Sequence, residues 1–269
     1  MKRMAVAAVL AVVAGFALLG IGGSAAAADS ASVSVVHGIP NTPVNVFVNG
    51  KLTLRDFKPG AVAGPLSLPA GSYQVKVFPA ANTAGTGSPV ISATAQVPAG
   101  ANVSLVAHLD TSGKPALTPF VNDVSRLPAG QARLVVRHTA AAPAVDVRAG
   151  GTPVIRGLTN PQQRELSVPA GSVRADVVLA GTNTVVIGPA TLNLAEGSAT
   201  IVYAVGSAGQ KTLGLVVQTI GGLQSAPGGM PAGSGGLADS GVPAWLPLTV
   251  GVAVLAAAAG AARLATTRP

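Results

Sequence analysis

The run Arg133-Leu134-Val135-Val136-Arg137-His138 repeats one met earlier in the chain, Val33-Ser34-Val35-Val36-His37, and histidine ends the apolar stretch both times. Three further matches follow in the same order. Val44-Asn45-Val46 before the turn Asn49-Gly50 returns as Val145-Asp146-Val147 before Gly150-Gly151. Leu68-Pro69-Ala70-Gly71-Ser72 returns as Val168-Pro169-Ala170-Gly171-Ser172, and Gly100 to Val106 returns as Gly197 to Tyr203. One structural unit used twice is the reading that fits, with spacing that drifts where loops differ in length. The repeated cores run about 32–124 and 131–220, and the two domains with their short connection occupy 29–128 and 129–220.

Each copy is expected to be all-β. Val33 to His37, Val44 to Val48, Ser72 to Phe78, Val90 to Val97 and Asn102 to His108 are short and rich in β-branched residues. Tyr73, Val75 and Val77 alternate with Gln74 and Lys76, the period of a half-buried strand. Leu68-Pro69-Ala70-Gly71, Val97-Pro98-Ala99-Gly100, Leu127-Pro128-Ala129-Gly130 and Val168-Pro169-Ala170-Gly171 share one turn pattern, with φ preset by proline and a permissive glycine two residues later. Closely spaced short strands with these turns point to two tandem antiparallel β-sandwiches, immunoglobulin-like or transthyretin-like.

The ends of the chain belong to targeting. Lys2 and Arg3 precede an apolar run from Met4 to Ile21, and small residues follow, which is the order of a secretory signal peptide over 1–28. Cleavage is expected between Ala28 and Asp29. Near the other end, Ala244 to Ala262 carries no charge, and at 1.5 Å per residue it spans about 28 Å, close to the ~30 Å of a bilayer core. A transmembrane helix is therefore expected over 244–262, with Trp245 at its outer edge and a short basic cytoplasmic tail over 263–269. The preceding stretch, 221–243, is rich in Gly, Ser and Pro and reads as a flexible linker. Within it, Leu237-Ala238-Asp239-Ser240-Gly241 resembles the sorting pentapeptide of Gram-positive surface proteins, which a sortase cuts before glycine, although Ser240 stands where threonine is usual. Sortase processing and a retained membrane helix both remain open.

Composition narrows the chemistry. The chain has no cysteine, which removes disulfides, thiolate metal sites and thiol nucleophiles together. Only 10% of its residues are charged, against about 25% in ordinary domains. Four of the 17 cations, Lys2, Arg3, Arg263 and Arg268, fall in the terminal segments, and the other 13 are dispersed between Lys51 and Lys211. Such scatter, with few aromatic residues between, gives no nucleic-acid footprint. It suggests a mild surface preference for anions, so an anionic wall polymer is an admissible partner.

His37 to Gly50 and His138 to Gly151 resemble the opening of a bacterial family called domain of unknown function 4397, whose copies begin with a β-run, a histidine, a Pro-containing loop, a Val-Asp-Val stretch and an Asn-Gly or Asp-Gly turn. The first copy keeps His37, Pro40, Val44, Val46 and Asn49-Gly50 but has Asn45 for the aspartate. The second keeps His138, Pro143, Val145, Asp146 and Val147 but has Arg148 for the usual aromatic. The resemblance implies an extracytoplasmic β-sandwich module, often in tandem, and brings no established activity.

The 3 histidines are His37, His108 and His138. The two that share a repeat position are expected to hold loop carbonyls, and His108, with no counterpart, is expected at the surface or a sheet edge. A hydrolytic triad can be drawn from Ser34 or Ser104, His37 or His108, and Asp56 or Asp110, but nothing selects it. Asp146 with Asp176, or Asp56 with Asp110, lacks the clustered carboxylates that calcium requires. Tyr73, Phe47, Phe57, Phe78 and Phe120 are expected in the cores. No catalytic residue, cofactor or metal ligand is therefore assigned. The expected protein is a secreted, surface-anchored tandem module that is structural or binds an envelope polymer or surface protein; an envelope hydrolase is the alternative.

Overall fold

The computed structural model describes residues 29–225, so the signal segment, Ala28, the sorting-like pentapeptide and the proposed membrane span lie outside the described residues. Sixteen β-strands fill the described chain, with no helix among them. The first eight are β1 (Ser30–His37), β2 (Val44–Val48), β3 (Lys51–Phe57), β4 (Val62–Pro69), β5 (Gly71–Pro79), β6 (Ile91–Val97), β7 (Asn102–Leu109) and β8 (Pro115–Asn122). The next eight are β9 (Gln131–His138), β10 (Val145–Ala149), β11 (Thr152–Leu158), β12 (Gln163–Pro169), β13 (Gly171–Leu179), β14 (Val185–Leu194), β15 (Ala199–Val205) and β16 (Gly214–Ile220).

The strand order is the same in each half. Sheets β4-β1-β7-β8 and β3-β2-β5-β6 face each other in the first, and β12-β9-β15-β16 and β11-β10-β13-β14 in the second. A core that includes Val33, Val46, Val75 and Leu105 fills the first sandwich, and one that includes Leu134, Val147, Val177 and Val202 fills the second. The sheets are not purely antiparallel as expected. β1 pairs parallel with β7, and β9 parallel with β15. Between β1 and β7 the chain crosses to the opposite sheet twice, for β2–β3 and for β5–β6, and comes back for β4 in between, which is the kind of long crossover a parallel pair needs.

Two corners make that excursion possible. At Pro69-Ala70-Gly71 the chain passes from β4 in one sheet to β5 in the other, with Gly71 at φ +157°; Gly171 does the same at +147°. This region of φ is all but closed to residues with a Cβ, so glycine there is a backbone requirement. The shared Pro-Ala-Gly motif thus marks the sheet switch in each half.

The sandwiches are not independent beads. Val36, Val106 and Phe120 of the first half form one buried cluster with Val135, Ile201, Tyr203, Val205 and Val216 of the second. These residues point away from their own sandwich cores, so sheets β4-β1-β7-β8 and β12-β9-β15-β16 are covered on both faces. Four sheets are stacked through three buried layers. Strands buried on both sides read as continuous apolar runs instead of alternating ones, which accounts for Val103 to Leu109 and Leu134 to Val136. The held chain also runs past β16. Leu223 is buried, and Leu127 exchanges backbone hydrogen bonds with Leu223 and Ser225, so Gly221 to Ser225 is pinned at the start of the stretch read as linker.

Candidate functional site

Each repeated histidine closes the loop that follows its strand. His37 Nε2 donates to the Thr42 carbonyl at 2.9 Å, and its Nδ1 faces the Ile39 amide at 3.4 Å. His138 copies this with the Pro143 carbonyl at 3.0 Å and the Ala140 amide at 3.4 Å. A neutral ring with its proton on Nε2 serves both contacts, and an imidazolium would lose the acceptor. His108 corrects the expectation of a surface position: it is 1% exposed, with Nε2 against the Thr118 hydroxyl at 2.8 Å and Nδ1 against the Leu109 carbonyl at 3.0 Å. It is buried because β7 is an interior strand and its outer face is covered by the second half.

Burial lowers the pKa of all three histidines, against smaller opposing effects of their carbonyl partners. Their folded values therefore lie below the ~6.5 of an unfolded chain. The unfolded state takes up protons first on acidification, so stability is intact above pH ~6.5 and falls below it, by up to about 1.4 kcal/mol per pH unit for each histidine. The aspartates with lowered pKa, among them Asp146 and Asp176, lose their share only below about pH 4, a separate window. Urea unfolding at pH 7.5 and 5.5 should show the first loss, with His108→Gln flattening the profile by one histidine's share. A flat wild-type profile would mean that the buried rings are not neutral in the fold.

The Asn45 and Asp146 pair shows how one position is used twice. Asp146 accepts from the Gly157 amide at 2.7 Å and the Gly181 amide at 3.0 Å, and these bonds hold its carboxyl below the usual range. Asn45 accepts from the Asp56 amide but donates to the carbonyls of Ala80 and Asn82. Both side chains pin the irregular end of an edge strand and the following hairpin loop to the middle of a sheet, and the polarity of that loop decides whether an acid or an amide is required. Asp176 is spent on a two-pronged ion pair with Arg148, at 2.7 and 2.9 Å. Asp110 caps its own turn through Ser112 and Lys114, and Ser104 bonds Gln218 and Asn122. The triad and calcium groupings drawn from sequence are therefore dispersed among other partners. Among the described residues no three His, Asp or Glu side chains cluster as metal ligands would.

The polar centre of the molecule is Arg137, which the sequence presents as one more dispersed cation. It is 1% exposed, at the junction of the halves. Its guanidinium donates to the Tyr203 hydroxyl (2.9 Å), Asn122 Oδ1 (2.7 Å) and Gln163 Oε1 (2.8 Å). It also lies 4.4 Å from the Phe120 ring centroid and 5.3 Å from that of Tyr203. Tyr203 passes its proton toward Gln218 Oε1, which also accepts from Ser104. Burial lowers the Arg137 pKa and raises that of Tyr203. Neutral oxygens and two aromatic faces hold the charge in place of a carboxylate. Arg133 nearby is 6% exposed and bridges Asp123 at 2.9 Å and Glu165 at 2.6 Å, tying the connection between the halves to β9. These two arginines are withdrawn from the surface, which weakens the expected general preference for anions.

One open groove lies at the same junction. It encloses about 430 Å³ between the turn after β1, the Pro59-Gly60 turn and the β15–β16 hairpin, and Lys211 is its charged lining residue. Asn41 and Lys211, at φ +63° and +55°, both line it. Non-glycine residues in that region of φ are uncommon and worth noting where two share a cleft. At the corresponding contact on the other side of the pseudo-repeat, Asn160 donates to the carbonyls of Leu109 and Ala140 and joins the halves directly. Pro59 occupies the Asn160 position in the first half and has no side-chain donor.

Residues 31–148 match the model of a family described as a domain of unknown function (DUF4397). The match covers the first half and continues through β9 into β10. No curated protein matches the chain.

Proposed function

We propose that this is a secreted protein anchored at the outer face of a Gram-positive envelope, in which the paired sandwiches act as a rigid module that binds an envelope polymer or a neighbouring surface protein. The targeting segments at both ends of the sequence support the location. The observation that carries the binding role is the groove at the seam of the halves, open where its twin contact is bridged by Asn160, and furnished with backbone polar groups and one cation. An anionic polymer segment suits that lining, since Lys211 supplies the charge. The rival reading, an envelope hydrolase, requires a histidine free to move a proton, whereas His37, His108 and His138 each use both ring nitrogens on neighbours.

The test is capture of purified wall polymers and a glycan array by the full chain, compared with Lys211→Asn, which removes the charge from a residue type that tolerates positive φ. Capture of an anionic polymer should weaken severalfold in the variant and with rising salt. Background-level capture of every polymer and surface protein offered, with an unaltered envelope in a deletion strain, would reject the proposal.

A further inference from the structure

The two halves share topology but do not pack equally. Val75 of β5 is buried in the first core; Ala175 stands at the matching place in β13. Leu105 of β7 corresponds to Val202 of β15, and Val48 of β2 to Ala149 of β10. Tyr73 corresponds to Val173, a loss that the second half partly returns, because Leu192 stands opposite Val173 where Ala95 stands opposite Tyr73. The losses at Ala175, Ala149 and Val202 are returned only in part, by Leu134 of β9, which stands where β1 has Val33. A cavity of about 90 Å³ lies there, between the two sheets of the second sandwich, with Ala149, Ala175 and Val202 in its wall. Val154, 41% exposed, lines it too, so the apolar interior comes close to solvent on that side.

We propose that this cavity is a binding site for the end of a short unbranched aliphatic chain, such as the tail of an acyl or alkyl group, whose polar head stays outside beyond Val154. The first half indicates the occupant, since what fills the equivalent space there is the aliphatic branches of Val48, Val75 and Leu105. Size agrees: the volume is below the ~150 Å³ that accommodates benzene, which favours a slender chain over a ring. Polarity agrees as well, because the wall is almost wholly apolar and offers an ionised or hydrogen-bonding group no partner inside. Nothing in this site depends on the Lys211 groove.

The probe is 1-hexanol, added to the full chain and followed through the methyl resonances of the second sandwich and through thermal unfolding. Saturable shifts should be confined to methyls around Ala149, Ala175 and Val202, with a rise in Tm. Ala175→Val, which restores the first-half residue, should raise Tm without ligand and weaken hexanol binding about tenfold or more, because the refilled space would be overpacked. Val202→Leu should act in the same direction and serves if Ala175→Val is poorly folded. The proposal is overturned by absence of saturable binding to the wild type, by binding that both filling variants leave unchanged, or by phenol binding as tightly as hexanol.

Discussion

Arg137→Ala should be among the most damaging single substitutions in the chain, costing about 3–5 kcal/mol, by analogy with removal of one partner from a buried polar cluster. Three effects add. The Phe120 and Tyr203 rings lose the guanidinium between them, a cavity opens in a fully buried layer, and Asn122 Oδ1 and Gln163 Oε1 each lose a charged donor. Among the described residues only the Thr200 hydroxyl is a buried side-chain polar atom without a partner, so the native network has little slack to absorb such a loss. For a domain of this size the cost corresponds to a fall in Tm of roughly 10 °C. Arg137→Met separates the contributions: it keeps an apolar stem against the rings but leaves the same oxygens orphaned, so it should recover part of the loss and no more. Thermal and urea unfolding of both variants decide the matter, and an alanine variant within 1 °C of wild type would show that the seam does not contribute to stability.

The second large effect is expected from cutting the chain at 128/129. Read from sequence, fragments 29–128 and 129–222 are expected to fold alone, and each does have its own sandwich core. The structure adds a shared layer. Separation exposes Val36, Val106 and Phe120 on one fragment and Val135, Ile201, Tyr203 and Val216 on the other. At ~1.5 kcal/mol or more for each buried side chain, that layer represents on the order of 10 kcal/mol of burial, comparable to the whole stability margin of an ordinary domain. The fragments, the second extended to Ser225, should give β-type circular dichroism but self-associate, and mixing them should yield a 1:1 complex with a Tm above either alone. Two monomeric fragments as stable as the intact chain would contradict this reading of the seam.

The repeat, the all-β class and the loop-holding role of His37 and His138 were legible because they rest on local patterns: a duplicated motif, β-branched runs and a histidine at a strand end. Strands β3, β4 and β8 were not anticipated. Pro65 and Pro69 in β4 and Pro115 and Pro119 in β8 look like interruptions, yet these strands lie at sheet edges, where a missing amide donor costs little. The seam was hidden for a different reason. Arg133 and Arg137 carry the residue type of a solvated surface, and only the neighbouring Leu134-Val135-Val136, apolar at successive positions, hints that both faces of β9 are covered. His108 sits in a similar run, Val103-Ser104-Leu105-Val106-Ala107, and that lack of alternation was the available sign of its burial. The void in the second sandwich is less visible still, since Ala175 and Val202 are ordinary strand residues until set against Val75 and Leu105.

The short stretch that follows β16 has a mechanical meaning. Leu223 donates its amide to the Gly197 carbonyl and accepts from Leu127; Ser225 donates its amide and hydroxyl to the Leu127 carbonyl; Arg126 holds the Gln224 carbonyl. Any pull on the chain from beyond Ser225 is therefore met first by this clasp, and only afterwards by the ladder between β15 and β16. Because Arg126 and Leu127 belong to the connection between the halves, the load is handed to the middle of the stack instead of peeling β16 from the edge of a single sheet.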